Sequence, residues 1–208
     1  LAPGLHPFFI DQNETHFLHD LEQILRTEDC VAVGEIGLDT FKKEHKQPEV
    51  FQKQQDFFSA QLELAQQFEK PVLLHILRSH ADAIKILKKH KFQHGGIAHA
   101  FSGGVQEAKA LITMGFKIGV TGQITNPNAK KLHSVVKEIG LEHLVLETDC
   151  PDMTPLCCQT SHERRTRNTP VNLPYVLDGL AQVLDMPCEK LAEHLWLNTM
   201  QALRLEND

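Results

Sequence analysis

The sequence predicts an α/β fold built on a parallel sheet. Short apolar runs alternate along the chain with helix-length amphipathic segments, and most connections between them are only a few residues long. That cadence is the signature of right-handed βαβ units. In addition, four of the apolar runs lead into residues that ligate divalent cations, namely Glu35, His75, His99 and Asp149.

Leu1 to Pro7 reads as the tail of a strand turning into a loop. From Glu14 to Thr27 the residues Phe17, Leu18, Leu21, Ile24 and Leu25 keep helical spacing, so a helix precedes the strand Val31–Asp39. That strand is small, β-branched and apolar, as a strand buried on both faces should be, yet it delivers Glu35 between two glycines. Pro48 to Phe68 sets Val50, Phe51, Phe58, Leu62 and Ala65 on one face of a long helix. Val72–His75 is the next strand and Ala81–His90 its helix. Ile97–His99, opened by Gly95-Gly96, is followed by a helix over Val105–Met114. Lys117–Val120 and Asn128–Ile139 repeat the unit, and Leu144–Asp149 is the last strand. Pro151 to Asn168 is polar and non-periodic, the kind of long loop that is usually functional or disordered. Asn168-Thr169-Pro170 reads as a helix start, and two helices, Val171–Leu184 and Cys188–Leu203, close the chain.

Length and composition bound the function. With 208 residues and 41% hydrophobic content, the chain supports one sizeable core and one domain over 1–208. No apolar run approaches membrane length and no basic-then-apolar leader opens the chain, so a soluble, cytoplasmic protein without membrane contact is expected. Five cysteines, an odd number without a CxxC pair, argue against a disulfide framework and a zinc ribbon. The net charge of −6 gives no global attraction to nucleic acid, so a phosphate-bearing substrate needs a local patch or a metal. Thirteen histidines favour metal ligation somewhere.

Taken singly, each strand-end residue has a plain structural reading. A histidine there can be a hydrogen-bonded core residue, and an acid can cap the next helix. Their shared position changes the balance. The carboxyl ends of parallel strands meet at one mouth, where like charges are costly without a cation between them. Two imidazoles and two carboxylates suit zinc or manganese, with magnesium reached through the oxygens.

The runs Gly34-Glu35-Ile36-Gly37-Leu38-Asp39, Gln54-x-x-x-Phe58-x-x-Gln61-Leu62-x-x-Ala65, Pro71-Val72-Leu73-Leu74-His75, His99-Ala100-Phe101-Ser102-Gly103 and Glu147-Thr148-Asp149-Cys150-Pro151 resemble, in order and spacing, the TatD family of metal-dependent hydrolases. Arg167-Asn168-x-Pro170 and Asn198-Thr199 are similar to its closing motifs, and the likeness extends to its YjjV-like bacterial branch. The resemblance covers essentially the whole chain. It implies a (β/α)₈ TIM-like barrel of the amidohydrolase type holding one or two divalent ions (Mg, Mn or Zn), and a deoxyribonuclease or related phosphodiesterase acting on DNA or another phosphodiester; sequence does not give the oligomeric state, for which a monomer is favoured. By the same likeness Glu35 bridges metals, His75 and His99 ligate the second, and Asp149 is a ligand that also takes the proton from the attacking water. The family opens with a His-x-His strand, which does not occur here, and Leu1 to His6 resembles its third strand. The resemblance therefore implies two strands, about fifty residues, missing ahead of Leu1, and one metal site short of two ligands.

Substrate contacts follow the same lines. Arg78 stands one residue beyond the position of the family's arginine. His6 is read either as a substrate contact or as part of a structural Leu-His-Pro turn. Ser102, ahead of Gly103 and Gly104, presents donors near the metals or only eases a strand into its helix. Arg164, Arg165 and Arg167 precede a helix N-terminus, where phosphate is favourably held, and otherwise form a solvated loop face. Trp196 is expected to pack within its helix layer, and His80, His90, His94, His133, His143 and His194, on helices or their flanks, to lie at the surface. Hydrolysis of a small ester, amide or lactone, and a metal-poor scaffold, remain open alternatives because fold and metal do not select substrate.

Overall fold

The computed structural model describes residues 1–12, 16–160 and 166–205. Helix α1 (His16–Thr27) leads into β1 (Val33–Asp39), and α2 (Pro48–Gln67) into β2 (Val72–Leu77). The alternation continues through α3 (His80–Lys89), β3 (Gly96–His99), α4 (Val105–Ile112), β4 (Phe116–Val120), α5 (Lys130–Ile139) and β5 (Leu144–Leu146). Two helices, α6 (Leu173–Leu184) and α7 (Cys188–Leu203), complete the chain. The five strands pair in parallel in the order β1-β2-β3-β4-β5, each beside its successor in sequence. Among the described residues no helix is long and apolar enough to cross a membrane.

Strand alternation sorts the side chains onto two faces. Ile36, Leu74, Ala98, Ile118 and Leu144 point into the main core, which the helices close with residues such as Leu62, Leu87 and Leu180. On the other face Leu73, Ile97 and Val145 form a small cluster under Ala202 and Leu203 at the end of α7. His75 and His99 stand two residues beyond Leu73 and Ile97, on that same face. The hydrophobic floor and the candidate ligands are thus neighbours along the same strands.

Four expectations need correction. Leu1–His6 is not a sixth strand. It runs beside β1 and the residues leading into it, accepting backbone hydrogen bonds from Val31 N to Leu1 O (2.8 Å) and, within β1, from Gly34 N to Pro3 O (2.9 Å). Pro3 has no N–H to return, so a ladder cannot propagate. The last strand stops at Leu146 rather than Asp149. Glu147 N still bonds Val120 O, but Asp149 turns left-handed at φ 55°, which a strand cannot accommodate. Trp196 is 63% exposed. Helix α7 buries Leu191, Leu195, Asn198 and Ala202, and Trp196 lies one residue, about 100°, round from Leu195. His80 and His90, expected at the surface, are half-buried.

Two glutamines of α2 fix the site's approach. Gln61 accepts from Leu5 N (2.6 Å) and donates to Leu5 O (3.2 Å), while Gln54 does the same for Asp39 N (2.9 Å) and O (3.0 Å). Both are fully buried, and a spacing of two turns places them on one face. Gln61→Leu would leave two buried peptide groups of Leu5 unsatisfied beside His6. Urea unfolding is expected to show a loss of about 2 kcal/mol or more; an unchanged midpoint would refute the clamp.

Candidate metal centre

Glu35 owes its position to an irregularity in β1. Gly34 pairs with Leu73 and Ile36 with Leu74, so Glu35 is the extra residue between consecutive partners. A bulge of this kind re-aims a side chain. Its Oε2 faces three imidazole nitrogens, His6 Nε2 at 3.5 Å, His75 Nδ1 at 3.7 Å and His99 Nε2 at 3.6 Å. His99 Nε2 also lies 3.3 Å from Asp149 Oδ1. Donors bound tetrahedrally to a cation at about 2.1 Å stand about 3.4 Å from one another, so these separations suit a shared ion. His6, Glu35 and His75 form a group whose ligand atoms all lie within 4.8 Å. Glu35 thus lies against His75, His99 and His6, and Asp149 reaches the group through His99.

Each of the two strand histidines has a carboxylate behind it. Asp39 Oδ2 lies 3.0 Å from His75 Nε2, and Glu147 Oε2 lies 2.5 Å from His99 Nδ1. Such partners fix the tautomer and direct the other nitrogen inward. Asp39 is itself fixed by Phe41 N, which donates to Oδ1 (2.7 Å). Glu147 also accepts from Ala100 N (2.6 Å). Gly119 leaves the space for it: a Cβ there would collide with Glu147 Oε1. Asp39 and Glu147 were visible only as motif letters, because an orienting acid carries no spacing signal of its own.

The electrostatics follow from this packing. Burial alone would depress the His99 imidazole, but the carboxylates of Asp149, Glu147 and Glu35 outweigh it and push its pKa up to about 11. For His75 the same contest, burial against Asp39 and Glu35, also ends with the pKa raised. His6 goes the other way, down to about 4, through burial and the neighbouring His75. Burial would raise Glu35, yet His75, His99 and His6 hold it below the usual carboxylate range. The carboxylates thus favour positive charge at His75 and His99.

A cavity of about 870 Å³ opens over these groups, and Arg78 and Ser102 line it with them. Arg78 stands in the left-handed region at φ 59°, its carbonyl tied to Thr40 Oγ1 (3.3 Å). Ser102 Oγ donates to Ile76 O (3.4 Å) at the cavity edge. Arg167 does not line the cavity: it is exposed, because its neighbour Asn168 is drawn inward to bond Thr148 O (2.8 Å). Arg164 and Arg165 lie outside the described residues. Sequence reasoning missed Phe8, Phe9 and Phe41, which also border the cavity.

A five-stranded parallel βα sheet whose strands deliver imidazoles and carboxylates to one mouth defines an α/β domain with a candidate metal centre at its strand ends. Residues 1–204 match the TatD related DNase family, and the chain belongs to it. It is 38% identical over 200 residues to the uncharacterized metal-dependent hydrolase YjjV of Escherichia coli K12, covering 95% of this chain and 74% of that protein. A 3'-5' ssDNA/RNA exonuclease TatD of Edwardsiella piscicida is 34% identical, over 97% of this chain and 76% of its own. The crystal structure of the E. coli YjjV protein superposes with a TM-score of 0.89 at 35% identity, over 99% of this chain and 76% of that one. An uncharacterized amidohydrolase of Saccharomyces cerevisiae shares the fold, with a TM-score of 0.75 at 18% identity over 97% of this chain and 79% of that one.

Proposed function

We propose that the chain is a divalent-metal-dependent phosphodiesterase acting on DNA, with Glu35, His75, His99 and Asp149 as metal ligands and His6 beside them. The observation that carries this reading is the meeting of three imidazole nitrogens on one Glu35 oxygen at 3.5–3.7 Å, with Asp149 against His99. A bound divalent cation supplies Lewis acidity, polarising a phosphoryl oxygen and making water a better nucleophile at neutral pH.

The remaining work falls to the protein. Glu35 and the imidazoles hold the cation, and Asp39 and Glu147 keep His75 and His99 in the orientation that presents a free nitrogen to the cavity. Asp149 is 24% exposed at the cavity and accepts the proton of the attacking water on its carboxylate. Arg78 and Ser102 border the space a phosphodiester would fill.

The test is substrate comparison. Purified protein with Mg²⁺, Mn²⁺ or Zn²⁺ is assayed against oligodeoxynucleotides, bis(p-nitrophenyl) phosphate and a set of carboxylic esters and lactones. Cleavage of the phosphodiesters is the expected result. Cleavage of the carboxylic esters or lactones alone would overturn the phosphodiesterase reading and leave the metal centre in place.

A further inference from the structure

The rim of the cavity is aromatic and basic, a combination that metal-assisted hydrolysis does not itself require. Phe8, Phe9 and Phe41 are 37%, 51% and 56% exposed, and all three line the cavity that holds the metal-site residues. Exposed phenylalanines at a polar site need a reason, since each leaves apolar surface in water. Cations stand over two of them. Lys42 Nζ lies 3.6 Å from the Phe8 ring centroid and the Arg78 guanidinium carbon 4.8 Å from that of Phe41.

The backbone builds this arrangement. Thr40 N bonds Leu77 O (3.1 Å), and Ser79 Oγ donates to Thr40 Oγ1 (3.1 Å). With the Arg78 carbonyl also tied to Thr40, the turn after β2 is fastened to the loop after β1, which sets Arg78 against Phe41. On the other flank, Phe8 and Phe9 pack edge to face (5.5 Å between centroids), and the Phe9 ring lies 5.9 Å from that of His6. The rim is thus continuous with the candidate ligands.

From this geometry, and resting on the phosphodiesterase reading above, we propose that Phe8, Phe9 and Phe41 form a stacking platform for unpaired bases, with Lys42 and Arg78 taking the adjoining phosphates. Every base has a π-face, whereas a paired duplex buries its faces within its own stack, so such a platform selects single-stranded ends without reading sequence. The chain's net charge of −6 makes these two rim cations the local attraction that a polyanion needs.

The experiment is fluorescence anisotropy with the whole chain in divalent-metal buffer, using hydrolysis-resistant phosphorothioate probes. These are a single-stranded oligothymidine, its duplex, and an abasic oligomer of equal length and charge. The oligothymidine is expected to bind at least about fivefold more tightly than either of the others. Phe41→Ala is expected to weaken it about 5- to 100-fold with no change in the salt dependence, whereas Lys42→Gln reduces the salt slope by about one. Phe41→Tyr, which keeps the ring, restores tight binding and separates lost stacking from misfolding. Equal binding of base-bearing and abasic oligomers, or unchanged affinity in Phe41→Ala, would overturn the platform. Wild-type hydrolysis of bis(p-nitrophenyl) phosphate keeps the two readings apart. Cleavage of that diester with base-independent binding removes the platform alone, while base-dependent binding without cleavage removes the hydrolytic reading and leaves the platform standing.

Discussion

Asp149→Asn is expected to lower kcat by about 10²- to 10⁴-fold on both the small diester and DNA, the range lost when a positioned general base is removed. Asparagine is the appropriate substitution for two reasons. It keeps the size of the side chain beside His99 Nε2, and it tolerates the left-handed backbone that residue 149 adopts at φ 55°. What it loses is the negative charge and the ability to take a proton. Thermal unfolding should move by no more than about 4 °C, the equivalent of roughly 1 kcal/mol for a chain of this size. Full activity in a folded Asp149→Asn protein would remove Asp149 from the proton-accepting role.

The second large effect concerns a residue that need not touch substrate. Glu147→Gln is expected to cost about 10- to 100-fold in divalent-metal affinity, because the carboxylate at 2.5 Å sets the orientation and basicity of His99. Gly119→Ala should act in the same direction by occupying the space Glu147 uses. A pH series separates orientation from simple damage. In metal-free wild type, His99 with its pKa pushed up to about 11 keeps its proton across the neutral range. A cation must displace that proton, so affinity climbs with pH by up to about tenfold per unit for each proton released. Removing one of the carboxylates that hold His99 up lowers that pKa, and the climb should level off at lower pH in Glu147→Gln. Competition against a chromophoric chelator at several pH values reads both effects, and identical curves for the two proteins would contradict the role given to Glu147.

Much of this was legible in the sequence because it depends on periodicity. The βα cadence places the strands, and parallel strands deliver their carboxyl ends to one side, so Glu35, His75, His99 and Asp149 were bound to converge once the fold class was read. What periodicity cannot register stayed hidden. Val33 to Asp39 reads as an unbroken strand, yet the bulge that turns Glu35 toward three histidines lies inside it. Leu1 to His6 reads as the tail of a strand, but Pro3 has no N–H to give a ladder and Gln61 takes both the N–H and the C=O of Leu5. Gln54 and Gln61 look like polar interruptions of an apolar face until the peptide groups of Asp39 and Leu5 are found against them. Arg78, Phe41 and Phe8 are far apart in sequence, and only the fastening of one loop to another makes them a rim.

Glu35, His75, His99 and Asp149 are proposed to hold a catalytic divalent cation. The most direct test is to strip the protein with a chelator, restore Mg²⁺, Mn²⁺ or Zn²⁺ one at a time, and follow bound metal and bis(p-nitrophenyl) phosphate hydrolysis together. The stripped protein is expected to hydrolyse no faster than buffer, with activity returning in step with metal bound. Undiminished hydrolysis by metal-free protein, or metal rebinding at Glu35 and its histidines without any hydrolysis, would contradict it.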